Sequence, residues 1–226
     1  MGAREALEAQ RKAEQEFVAE ALKSETSPKG WPAALVMFHV AMWRERLLHS
    51  LNEVAAGRPQ PASPGDVHEI NDAELASGIG TPLADAAARS DTLMGEIIDV
   101  YEKLGDQPLE WLAAKTTTEA VLRNSYMHPR NHMLEYLREN GVLPHADKLV
   151  EEAVIQLRDA AAPPLILGTA VYNVACLRAT QGRTEDALTL LEEALIMRAD
   201  LKAGARDDSQ LASLRNDPRF QALVTG

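Results

Sequence analysis

An all-α fold is predicted by three features of the 226-residue sequence. Ala, Leu and Glu abound while aromatic residues are only 4%; no segment alternates β-branched residues in strand fashion; and apolar residues recur at helical spacing in long runs. A first helix, about Ala3 to Lys23, sets Ala6, Leu7, Ala13, Phe17, Val18, Ala21 and Leu22 in a single stripe. Ser24 to Gly30 breaks it, and Pro32, whose missing N–H costs nothing in a first turn, opens a second helix to about Ala56. Leu35, Val36, Phe38, Val40, Met42, Trp43, Leu47 and Leu51 surround that helix, so it is expected at the centre.

From Gly57 to Gly80 prolines 59, 61 and 64 and several glycines forbid regular helix over most of the stretch, with room for one short helix near Glu69 to Ala76. Irregular segments of roughly 20 residues are uncommon inside a domain and tend to be lids or binding loops. Thr81 as N-cap with Pro82 at N1 opens a third helix to Leu104, and Thr116 with Glu119 reads as a capping box for a fourth, stopped at Asn140 and Gly141. Four helices of this length with one long crossover predict a four-helix bundle over residues 1–144. Residues 145–226 follow as a linker helix (Ala146 to Ala161), a helical hairpin (Leu165 to Gln181, Thr184 to Met197) turning at Gly182, and a C-terminal helical segment.

The charge balance, 23 basic against 34 acidic residues, gives −11. This argues against nucleic acid and anionic membranes as partners. The opening MGAREALEAQRKAEQEF has no apolar signal region and no run suits a membrane helix, so a cytoplasmic protein is expected. Cys176 is the single cysteine. It excludes an internal disulfide and a cysteine-based zinc site, and reads as a small buried residue, so any metal must come from histidines and carboxylates.

On a wheel of the fourth helix Val121, Asn124, Ser125, His128, Asn131, His132, Glu135 and Tyr136 gather opposite Leu122, Tyr126, Met133, Leu134 and Leu137, with the arginines of the helix away from the histidines, so that the most charged face is another one. His128 and His132 are one turn apart, a spacing that suits one metal ion and equally suits a solvated polar face. Pro129 between them denies the Ser125 carbonyl its usual partner at a cost of about 3 kcal/mol, which is often tolerated where a backbone must bend or free a carbonyl. His39 on the apolar second helix is either a hydrogen-bonded core histidine or a third imidazole, completing the ligand set of an open zinc-type site. Around it, Glu135 is a candidate base or imidazole-orienting group against a solvated carboxylate, and Arg46 a candidate anion-binding catalytic group against a surface ion pair. Trp43 and Asn71 are candidate substrate contacts, Asn71 also suiting a helix cap, and His68 is a loop histidine able to close over a metal.

The segment GWPAALVMFHVAMWRERLL with His39, the Pro-rich loop reaching His68 and Asn71, and NSYMHPRNHMLEYLRENG with His128 and His132 together resemble the DinB-like superfamily of four-helix bundles, in its colibactin-self-protection-like branch, over about residues 1–145. The resemblance implies a divalent metal on His39, His128 and His132. It also implies either hydrolysis of electrophiles or thiol transfer and isomerisation with a low-molecular-weight thiol cosubstrate. Three histidines suit zinc, nickel or iron alike. Within the hairpin, Ala175, Gly182, Ala187, Leu191, Ala194 and Leu195 resemble the signature positions of a tetratricopeptide repeat, with Val171 and Arg178 departing from it. One repeat cannot bury its own face, so helix five, the C-terminal segment or another chain must cover it; a homodimer or a protein partner would do so here. The function expected is metal-assisted attack of water or a thiol on an electrophilic small molecule. The alternative is a non-enzymatic helical interaction protein with a structural or vestigial metal site.

Overall fold

The computed structural model describes residues 2–23 and 28–225 and is helical almost throughout. Two compact units divide the chain, Met1–Ala146 and Asp147–Gly226. In the first, α1 (Ala3–Ala21) and α2 (Ala33–Ala55) precede a segment, 57–66, without regular structure. Then come α3 (Val67–Glu74) with a 3₁₀ turn (Leu75–Gly78), and α4 (Leu83–Leu104). Ser24 to Ser27, where the break after the first helix is expected, lie outside the described residues.

As its apolar circumference requires, α2 is central: it packs on α4, and Val36, Val40, Leu47 and Leu51 are buried. The 3₁₀ turn packs on it through Gly78, where a Cβ would overlap the Phe38 ring. The irregular segment finds backbone partners in the element that follows α4. Gln60 exchanges hydrogen bonds with the Glu110 main chain, and the Leu112 N–H donates to Ser63 Oγ at 2.7 Å.

That element corrects the strand-free reading. β1 (Pro108–Trp111) and β2 (Ala114–Thr116) form a short antiparallel hairpin, with Leu109, Trp111 and Ala114 buried. Its strands are too short for an alternating pattern to stand out in the sequence. The predicted fourth helix is also not one α-helix. It runs as α5 (Thr117–Leu122), a π-turn (Arg123–Met127) and α6 (His128–Glu139). Thr116 caps it by accepting from the Glu119 N–H, but the Glu119 carboxylate accepts from Lys115 N rather than closing a box on Thr116. At α4 the cap is Pro82 itself rather than Thr81, with no side-chain hydrogen bond. Both α6 and the π-turn pack on α2.

In the second unit, α7 (Leu143–Asp159) leads across the boundary into α8 (Pro164–Thr180) and α9 (Thr184–Met197), with Gly182 at φ 72 supplying the left-handed turn between them. The C-terminal segment covers the hairpin: a 3₁₀ turn (Ala199–Leu201), α10 (Lys202–Asp207), a 3₁₀ turn (Ser209–Leu214) and α11 (Pro218–Thr225). Leu211, Leu214, Phe220 and Val224 join Ala175, Cys176, Ala187, Leu191 and Leu195 in one apolar core. From α7, Glu151 pairs with Arg178 at 2.6 Å. Among the described residues no helix is long and apolar enough to cross a membrane.

Candidate metal centre

The histidines of α2 and α6 converge. His39 Nε2 lies 3.0 Å from His128 Nε2, and His132 Nε2 lies 3.1 Å from the same atom. All three ligand nitrogens fall within 4.8 Å of one another, and the ring planes cross at 67–84°. His39 is buried, and His128 and His132 are half-buried. Burial pushes all three down from the ordinary histidine range, His39 to about 3, with the charge on His132 adding to the effect at His39 and His128. Near neutral pH the rings are therefore uncharged and their lone pairs are free for a ligand.

This arrangement is poorly served by hydrogen bonds. A neutral imidazole nitrogen carries either one hydrogen or one lone pair, so His128 Nε2 can satisfy only one of its two close neighbours. A cation that takes all three lone pairs satisfies every one. Two nitrogens each about 2.1 Å from a common ion stand roughly 3.0–3.4 Å apart for angles between 90° and 110°; the two separations from His128 Nε2 meet the lower end of that range, and the third pair lies within 4.8 Å. The three histidines thus form a group that could hold a metal ion.

Compared with protein-family models, curated proteins and solved structures, the chain matches none. The chemistry of the site therefore rests on its own residues.

Pro129 explains how α6 reaches this position. Having no N–H for the Ser125 carbonyl four residues back, it follows a π-turn in which the His128 N–H donates to the Arg123 carbonyl, five residues back. The Ser125 carbonyl accepts instead from Arg44 Nη2 at 3.1 Å. Arg44 is fully buried between two partners, Glu14, which accepts from Nη1 at 2.8 Å and Nη2 at 2.6 Å, and Ser90, whose Oγ accepts at 2.6 Å. Asn124 Nδ2 adds a bond to the Trp43 carbonyl at 3.2 Å. The π-turn also breaks the single helical wheel. Arg130, expected on a charged face, is buried with its guanidinium 4.4 Å above the Tyr126 ring.

Other predicted site residues take different places. Glu135 stands 3.8 Å from His132 Nδ1, beyond hydrogen-bond distance, with its carboxylate largely exposed. Arg46 is engaged elsewhere: it pairs with Glu74 and lies 5.7 Å over Trp43, which pins α3 to α2. Trp43 is buried and donates its indole N–H to Asn71 Oδ1 at 3.0 Å, its ring edge-on to His39 and His128. Asn71 does not cap α3; Asp66 does, accepting from His68 N at 2.8 Å. His68 is exposed and outside the three-histidine group.

Sequence reasoning missed Trp31 and Arg44. Trp31 stacks on His132 with centroids 5.5 Å apart and planes at 8°, and meets His39 edge-on at 5.3 Å. Gly30, at φ 67, turns the chain just before it where a Cβ would run into the Glu139 carboxylate. A Gly-Trp-Pro run ahead of the helix that carries His39 was the available signal. Beside His132 a cavity of about 310 Å³ opens between Trp31, Val36, Tyr136, Glu135 and Glu139.

Proposed function

We propose that residues 1–144 are a DinB-like four-helix bundle in which His39, His128 and His132 hold one divalent ion, zinc, nickel or iron, and activate water or a small-molecule thiol for attack on an electrophilic small molecule. One observation carries the reading: His128 Nε2 faces two imidazole nitrogens at 3.0 and 3.1 Å, a geometry that hydrogen bonds cannot satisfy and a cation can. When bound, such an ion would lower the pKa of water or a thiol. Among the described residues three histidines come together and His68 stands outside the group, which favours an open site over a closed structural one. The cavity beside His132 gives a small substrate a place, with Trp31 as its wall. Glu135 would orient His132 or take a proton at the cavity edge. The C-terminal hairpin is a tetratricopeptide-like addition.

One observation favours the second reading, a helical interaction protein with a structural or vestigial site. Three residues expected to meet substrate are already occupied, Arg46 by Glu74 and Trp43 by Asn71. Metal analysis of protein purified without a histidine tag tests the ligand set. About one divalent ion per chain is expected, abolished by His128→Ala or His132→Ala, and equal metal content in wild type and the double variant would refute it. Catalysis is tested by screening the loaded protein against electrophiles with and without low-molecular-weight thiols. No turnover above that of His128→Ala would leave the interaction protein as the better reading.

A further inference from the structure

We propose that the buried Glu14–Arg44 pair is the positioning element of the histidine group: Arg44 takes the carbonyl that Pro129 leaves open, and so fixes the π-turn that aims His128. The inference rests on the metal-site reading above and extends it to residues that touch none of the imidazoles.

A charged pair is a poor choice if the helices need only to stay together. Desolvating both ions costs so much that well-packed apolar residues of similar volume usually hold a core as well or better. What an apolar pair cannot do is donate to a peptide carbonyl. The guanidinium divides its donors, meeting the Glu14 carboxylate at 2.6 and 2.8 Å while Nη2 also reaches the Ser125 carbonyl at 3.1 Å. A lysine ammonium, with all its donors on one atom, cannot span both partners in this way.

The bridge is well placed for the purpose. Arg44 follows His39 on α2 by little more than a turn, and Ser125 precedes His128 by just under one, so the contact lies next to the imidazoles on both helices. The Asn124 bond to the Trp43 carbonyl is a second peg at the same level. If the turn relaxed to regular α-helix, α5 and α6 would be offset by one residue, about 100° of rotation. The buried face of α5, Val121 and Leu122, and the His128 ring could not then both keep their places.

The test uses the full chain, with zinc as the probe. Glu14→Leu/Arg44→Met replaces the pair without leaving an orphan charge. Helicity by circular dichroism is expected to persist while zinc affinity, from competition with a chromophoric chelator, falls at least tenfold. Arg44→Lys, which keeps the charge, is expected to give an intermediate loss, and it decides the matter should the double variant fail to fold. Leu109→Ala, a core truncation in the β-hairpin, is expected to lower the melting temperature with zinc affinity unchanged, which separates positioning from stability. Wild-type zinc affinity in both pair variants, or a loss no larger than that of Leu109→Ala, overturns the proposal. A wild-type chain that binds no zinc refutes the metal reading instead. The ¹⁵N resonances of the His128 ring then decide positioning: a shift in Glu14→Leu/Arg44→Met is expected, and unchanged resonances overturn it.

Discussion

The two units bury different chemistry. All ten buried polar or charged residues among those described, from Gln10 to Arg130, lie in the N-terminal unit, as do all six histidines of the sequence. The core of the C-terminal unit is built from Ala175, Leu191, Leu195, Leu211, Phe220 and their apolar neighbours. Its main side-chain network, Tyr172 donating to Asp208 at 2.8 Å while Asp208 caps the Ser209–Leu214 turn, stands at the partly exposed margin. Burying polar groups is unfavourable unless each finds a partner, so a chain that needed only to fold would build the second kind of core. The contrast teaches that the buried polarity of the first unit accompanies its converging imidazoles and marks where the chain departs from plain packing.

The largest effect that would sharpen this contrast is expected from Arg44→Met, which leaves Glu14 buried without its counter-ion. Urea denaturation should show a loss of about 3–5 kcal/mol, and an unchanged midpoint would erase the distinction between the cores. Leu191→Ala should cost the C-terminal unit somewhat less, about 2–4 kcal/mol, with zinc stoichiometry intact; loss of zinc would show that the units do not act separately. Acid should act through the first unit. His39 has its pKa depressed to about 3, so its stabilising contribution is whole above the unfolded value near 6.5 and is lost as pH falls toward 3. Between pH 6.5 and 5, before most carboxylates titrate, His39 alone should cost the metal-free protein about 2 kcal/mol, and His39→Leu should lessen the slope without abolishing it, since burial lowers His128 and His132 as well. A slope unchanged by His39→Leu would move the acid sensitivity to other groups. The smallest effect belongs to Glu135→Gln: its carboxylate is largely exposed and 3.8 Å from His132, so zinc affinity should change by no more than about threefold. A loss as large as that of His128→Ala would make it a ligand.

Most helix spans were legible in the sequence because they depend on neighbours three or four residues away and on turn chemistry at their ends. Thr184–Met197 begins and ends where the periodicity places it, and the α2 stripe and the Gly141 and Gly182 stops are equally local signals. The histidine spacing on the fourth helix and the oddity of Pro129 were visible for the same reason. What the sequence could not decide was the response to Pro129. The carbonyl it frees is met by Arg44, 81 residues away in the chain, and Arg44 in turn is held by Glu14 on α1. A one-dimensional wheel places Arg130 away from the histidines, on the side of Tyr126, Met133 and Leu137, but it does not show that this side is buried or that the guanidinium lies over the Tyr126 ring. Trp31 was hidden similarly, because its stacking on His132 depends on which helix lies beside the start of α2. The sequence by itself determined where helices form and which imidazoles were available. Only tertiary structure decided that three of them meet, because convergence depends on the rotation of one helix against another, and buried long-range hydrogen bonds set that rotation.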